Sequence, residues 1–185
     1  MLPNLELDIQ IIDALGKPIS YKKLYPQSLV QAFIGLLSVQ FYPGVVNIKD
    51  TSNTNRSINF STSNFNINAL INDASFGIVA GTDASAVAIT DYKLGTQCAH
   101  GTGANQLQHS SVQKISGYTV AGTDAYFEFR RTLTNNSGST ITLKEVAIYS
   151  KGSSVYNFCV ERTLVDQAIT NTNGAVLTYK FLKTI

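Results

Sequence analysis

The densest group of residues able to do chemistry is Cys98-Ala99-His100-Gly101-Thr102-Gly103-Ala104-Asn105, followed by His109, with a second cysteine, Cys159, far along the chain. Two thiols and two imidazoles form the donor set of a Cys₂His₂ zinc site, but structural zinc takes its ligands in wider-spaced pairs than Cys-x-His. The expectation is an ordinary loop whose cysteines pack as small apolar groups and remain thiols in a reducing compartment. Cys98 and His100, two apart, share a face if extended, so a nucleophile–base pair is conceivable. No nucleophile elbow frames them, however, and no orienting third group can be named. Gly101-Thr102-Gly103 lacks the lysine, the trailing glycine and the strand–loop–helix setting of a phosphate-binding loop. The carboxylates stand singly along the chain, so nothing pairs them for acid–base work. No catalytic, cofactor-binding or metal-ligating residue is therefore assigned, and no cofactor is expected.

Two further features concern interactions. Arg130 and Arg131 are adjacent on a strand-like run, so they point to opposite faces and one is directed inward or toward a neighbouring subunit. A buried arginine needs a partner, for which Glu145 or Glu161 can serve. Nine tyrosines and nine phenylalanines can stack bases or sugars, but without a basic groove they read as core. Tyr118, Tyr126 and Tyr156 are the aromatics that would carry glycan stacking if exposed.

The elements that must hold these residues are mostly strands. Leu5, Leu7, Ile9 and Ile11 alternate with Glu6, Asp8 and Gln10, the period of a half-buried strand. A turn over 13–18 leads to a return strand over 19–24. The spacing predicts one helix over 28–41, with Ser28 as N-cap, Gln31 completing a capping box, and Pro43-Gly44 as the stop. Its stripe of Leu29, Phe33, Leu36 and Leu37 is widened by Val30, Ile34 and Phe41, which reads as core packing beside a sheet. An Asn/Ser/Thr-rich excursion occupies 50–73, with short strands expected over 58–61 and 65–68. Further strands are expected over 77–80, 112–120, 126–134, 141–150, 155–165 and 176–185. Asn135-Asn136-Ser137-Gly138 reads as a hairpin loop between two of them. Val79-Ala80-Gly81-Thr82-Asp83-Ala84 recurs letter for letter at 120–125, and is expected to mark two strand ends using one kind of turn. The fold class is thus mainly β, an antiparallel sandwich or barrel, jelly-roll-like, with one packed α-helix near the N-terminus. At 185 residues a single domain spanning 1–185 is expected.

Only 14% of the residues are charged, against roughly 25% in typical soluble domains. Asn, Ser, Thr and Gln must supply most water-facing groups. The 14 basic and 12 acidic residues give a net charge of +2, and no basic run exceeds a pair. That argues against direct nucleic-acid binding. No apolar stretch is long enough for a membrane helix. The opening residues lack the basic and apolar regions of a signal peptide, so sequons such as Asn55-Arg56-Ser57 and Asn135-Asn136-Ser137 carry no weight and a product made in the cytoplasm is expected.

The run Arg131-Thr132-Leu133-Thr134-Asn135-Asn136-Ser137-Gly138, followed by Ile141-Thr142-Leu143-Lys144-Glu145-Val146-Ala147-Ile148-Tyr149, resembles a strand–turn–strand unit of head- or tail-associated structural proteins of tailed bacteriophages. Phe76-Gly77-Ile78-Val79, Asp91-Tyr92-Lys93-Leu94 and His100-Gly101-Thr102-Gly103 fit the same group, as do the helix opening at Ser28 and the closing Leu177-Thr178-Tyr179-Lys180. The resemblance implies a non-enzymatic virion subunit in contact with other virion proteins, and it implies no catalytic residues. The low charge, which makes association less costly in desolvation, predicts a homo-oligomer with the 50–73 segment or the terminal strands crossing to a neighbour. The alternative is a fibre module that binds a receptor or a host surface glycan.

Overall fold

The computed structural model of the chain describes residues 4–26, 28–42, 44–153 and 155–184. Its elements begin with β1 (Asn4–Ile12), β2 (Pro18–Leu24), the helix α1 (Gln31–Phe41), β3 (Val46–Lys49) and β4 (Asn55–Ile58). They continue with β5 (Gly77–Gly81), β6 (Gln108–His109), β7 (Gln113–Ala121), β8 (Asp124–Thr134), β9 (Ile141–Gly152), β10 (Tyr156–Ile169) and β11 (Gly174–Thr184).

These form an antiparallel sandwich. Sheet one runs β2-β1-β11-β8, with β7 and then β6 along the outer edge of β8; sheet two runs β10-β9-β5. β3 and β4 make a separate hairpin. In β1 the predicted alternation holds: Leu5, Leu7, Ile9 and Ile11 are buried and Glu6, Asp8 and Gln10 are not. Their side chains join Leu133 and Leu177 of sheet one and Ile78, Ile148 and Phe158 of sheet two in one apolar core.

β9 is buried on both faces from Glu145 to Ser150, for a visible reason. On one side Ile148 and Ser150 look toward sheet one. On the other, Tyr149 Oη accepts from the Leu94 backbone and Glu145 accepts from Gly95 and Thr96, so the loop over 82–96 covers that face. α1 packs against β10 and β3. A Cβ on Gly152 would meet Leu36 and Phe158, which shows how closely the helix approaches sheet two.

Several expectations need correction. The helix starts at Gln31, not Ser28. Residues 28–30 are extended along the edge of β10, with Val30 N–H donating to Val160 O and Arg162 N–H to Ser28 O. The Ser28 hydroxyl meets Thr163 and Glu161 rather than capping a helix. Pro43 and Ile185, assigned to the helix stop and the last strand, lie outside the described residues.

The loop over 135–140 is not a hairpin. β8 and β9 belong to different sheets, so this loop is a crossover at one end of the sandwich. Asn135 fixes it. Its side-chain amide donates to Ser139 O and Ile169 O, and its backbone pairs with Asn173 and Thr172 of the second crossover, from β10 to β11.

The excursion holds one strand, β4, rather than those expected at 58–61 and 65–68. The second segment is instead pinned to Lys151 by Phe65 N–H and Asn66 O. Nor do the twin hexapeptides share a turn. Gly122 makes the two-residue connection of the β7–β8 hairpin with φ +61°. Gly81 is a buried strand residue paired to Glu145 and Gln97.

Candidate functional site

The residues singled out by type do not converge. Cys98 pairs through its backbone with Ala80 and is buried, and Cys159 is buried on β10 with its thiol directed at Glu161 O. Burial, reinforced by Glu145, pushes the Cys98 thiol up to about 11, the opposite of what a nucleophile needs. His100 Nδ1 accepts from the His109 backbone, and His109 Nδ1 meets Leu107 O. Among the described residues no group of three or more His, Cys, Asp or Glu is placed to hold a metal ion. The glycine loop is filled from within, because the Gln106 carbonyl accepts from Gly103 N–H.

Arg131 is the inward arginine, but neither glutamate serves it. Its guanidinium donates to five backbone carbonyls, those of Ser110, Phe76, Ile78, Leu70 and Asp73. It thereby ties β8 to β5 and to the end of the excursion. Glu145 belongs to Arg162, which donates to it and to Asp91 at 2.8 Å each, stapling the 82–96 loop to β10. Glu161 is held by the hydroxyls of Thr163, Tyr179 and Ser28. These buried charges are consumed by the fold.

The three tyrosines are dispersed. Tyr118 on β7 is 80% exposed. Tyr126 lies under the Lys180 ammonium and Tyr156 beside the Arg56 guanidinium, and Tyr156 belongs to the other sheet.

One open surface is an aromatic groove between α1, the excursion and the inner faces of the two sheets. β8 and β11 pair Phe127 with Phe181 and Phe129 with Tyr179, and alternation puts all four rings on the inner face. Phe127 and Phe181 stack at 4.8 Å, and Phe129 and Tyr179 at 5.9 Å. Across the gap, Phe33 and Leu37 of α1, Ile148 and Val160 of sheet two, and Phe65 and Ile67 of the excursion complete a cavity of about 260 Å³. Phe33 meets Phe65 edge-on at 5.5 Å. The cavity opens into a wider cleft of about 690 Å³ toward Lys114, Tyr118 and Glu128.

Ser150 lines the inner part, its hydroxyl buried and without a partner among the described residues. Such a surface offers dispersion and burial to an apolar group, plus one hydroxyl. The alternating Phe127, Phe129, Tyr179 and Phe181 were visible in the sequence only as core candidates, because their convergence depends on the β8–β11 register.

Comparison with family models, with curated proteins and with solved structures finds no match to this chain.

Proposed function

We propose that this chain is a non-enzymatic structural subunit of a tailed-phage virion, a head- or tail-associated component that assembles through low-charge, β-rich surfaces. The observation that carries this reading is the aromatic groove left open to water between α1 and the two sheets. A subunit made to be covered keeps such a surface until its neighbour arrives. The low charge content supports it too, since burying an unpaired charge on association costs several kcal/mol, whereas amides and hydroxyls are cheaper to desolvate. The resemblance of 131–149 to phage structural proteins supplies the setting.

Glycan binding is the competing reading, and Tyr118 is the aromatic exposed enough to favour it. Peptide mass spectrometry of purified phage particles tests the main proposal. The chain is expected in the particles at a fixed ratio to the other structural proteins. Its recovery only from the particle-free lysate overturns the proposal.

A further inference from the structure

We infer that the groove, together with the outer stripe of α1, is the contact surface for a second copy of this chain, each copy inserting Phe41 into the groove of the other. The inference rests on the assembly reading and names its interface.

Phe33, Leu37 and Phe41 follow one another at four-residue steps, so they lie along one side of the helix. Phe33 is buried in the groove, Leu37 half-buried at its edge, and Phe41 81% exposed beyond it. Ile34, 49% exposed, lies two turns before Phe41 on the same side of the helix. A projecting ring thus sits next to an aromatic hole on a single face. Such a face is self-complementary about a twofold axis, where residue i meets j and j meets i.

The sizes agree. A cavity of roughly 150 Å³ already takes a benzene ring, and this one is about 260 Å³. With roughly 200 Å² for each large side chain, the exposed fractions of Ile34, Phe41, Tyr118 and Phe127 leave about 500 Å² of side-chain surface in water. That is over half of the roughly 800 Å² each partner contributes to a standard interface, before the half-buried rim is added. Lys114 lines the same cleft, whereas Glu128, on the other face of β8, pairs with Lys180.

Sedimentation velocity of the full chain, from low micromolar to a tenth of a millimolar, tests this. The expected species has twice the 20.0 kDa monomer mass. Phe41→Glu and Ile34→Glu alter exposed side chains, so folding is expected to be intact by circular dichroism, with dimer affinity weakened by about 100-fold. Leu15→Glu, on the distant β1–β2 turn, is expected to change nothing. Cys98 and Cys159 are buried, so mixing a Phe41→Cys variant with a Phe127→Cys variant is expected to give an intermolecular disulfide under mild oxidation.

A wild-type chain that stays monomeric, or a dimer indifferent to Phe41→Glu, overturns the interface. A monomer whose Phe41→Glu variant is excluded from particles also overturns it, in favour of a different virion protein as occupant. A dimer that behaves as described but is absent from particles overturns the virion reading and leaves the interface standing.

Discussion

The Tyr179 hydroxyl on β11 donates to the Glu161 carboxylate on β10, so a hydrogen bond spans the two sheets at the centre of the sandwich. Glu161 is fully buried, and hydroxyls rather than a cation hold it. Burial pushes its carboxyl up to about 7, although the hydrogen bonds from Thr163, Tyr179 and Ser28 pull the other way. His109 is displaced in the opposite sense, down to about 4, by burial first and then by the Arg131 charge.

Two opposed pH dependences follow. Glu161, raised in the folded state from 4.5, contributes stability that is complete below that value and lost as pH rises through about 7. His109, lowered from 6.5, contributes stability that is complete above that value and lost as pH falls through about 4. Each amounts to something on the order of 3 kcal/mol when fully expressed, so in the overlapping window they offset each other. Glu161→Gln is expected to leave a urea midpoint that rises with pH there, and His109→Gln one that falls toward pH 7. Urea titrations of the three proteins across that range check this. Parallel profiles would remove the assignment.

Arg131 is expected to tolerate no substitute. A lysine ammonium has three donors and no planar fork, so Arg131→Lys leaves several buried carbonyls unserved. The expected loss is about 3 kcal/mol, or roughly 6–12 °C in Tm for a chain of this size. Its neighbour Arg130 is exposed and, among the described residues, hydrogen-bonds through its side chain to Gln113 alone, so Arg130→Ala is expected to cost under about 0.5 kcal/mol. Thermal denaturation followed by circular dichroism separates the two; equal losses would count against the five-carbonyl role.

The twin hexapeptides make a matched experiment. Gly122→Ala meets open space but sits at φ +61°, a left-handed conformation costing an alanine about 1–2 kcal/mol. Gly81→Ala has no such backbone strain, yet its methyl would collide with the Glu145 carboxylate and Thr96 O. The Glu145–Arg162 pair would then have to shift, and the expected loss is about 3 kcal/mol or more. Denaturant midpoints of the two variants check the order, and a larger loss at Gly122 would contradict it.

Asn135 is expected to act as the lock of both crossovers. Asn135→Ala removes two donors that reach Ser139 O and Ile169 O and the acceptor for Ser137. A loss of about 2–4 kcal/mol is expected. Asn136→Ala, one residue on and outside that buried network, is expected to cost far less by the same measurement.

Much of the strand plan was legible because it is local. Alternation in β1, the turn over 13–18 and the apolar run of β5 each follow from side-chain period and turn chemistry within a few residues. What escaped depends on partners distant in sequence. Ser28 looks like a cap, yet the unpaired edge of β10 draws residues 28–30 into extended pairing. Asn135-Asn136-Ser137-Gly138 reads as a hairpin, but β8 prefers β7 and β11 as neighbours, leaving β9 to the other sheet. The inward arginine was legible and its acceptors were not, since five carbonyls from three segments leave no mark on composition. The groove escaped for the same reason: its rings come from α1, the excursion and two strands.

The most direct test of assembly as a virion subunit is cryo-electron microscopy of the intact particle at a resolution that traces side chains. The expected result is repeated density for this chain at the head, neck or tail, with the groove between α1 and the Phe127–Phe181 stack filled by a neighbouring subunit. Particles that lack the chain, or that carry it with the groove facing bulk water in every copy, would contradict the account.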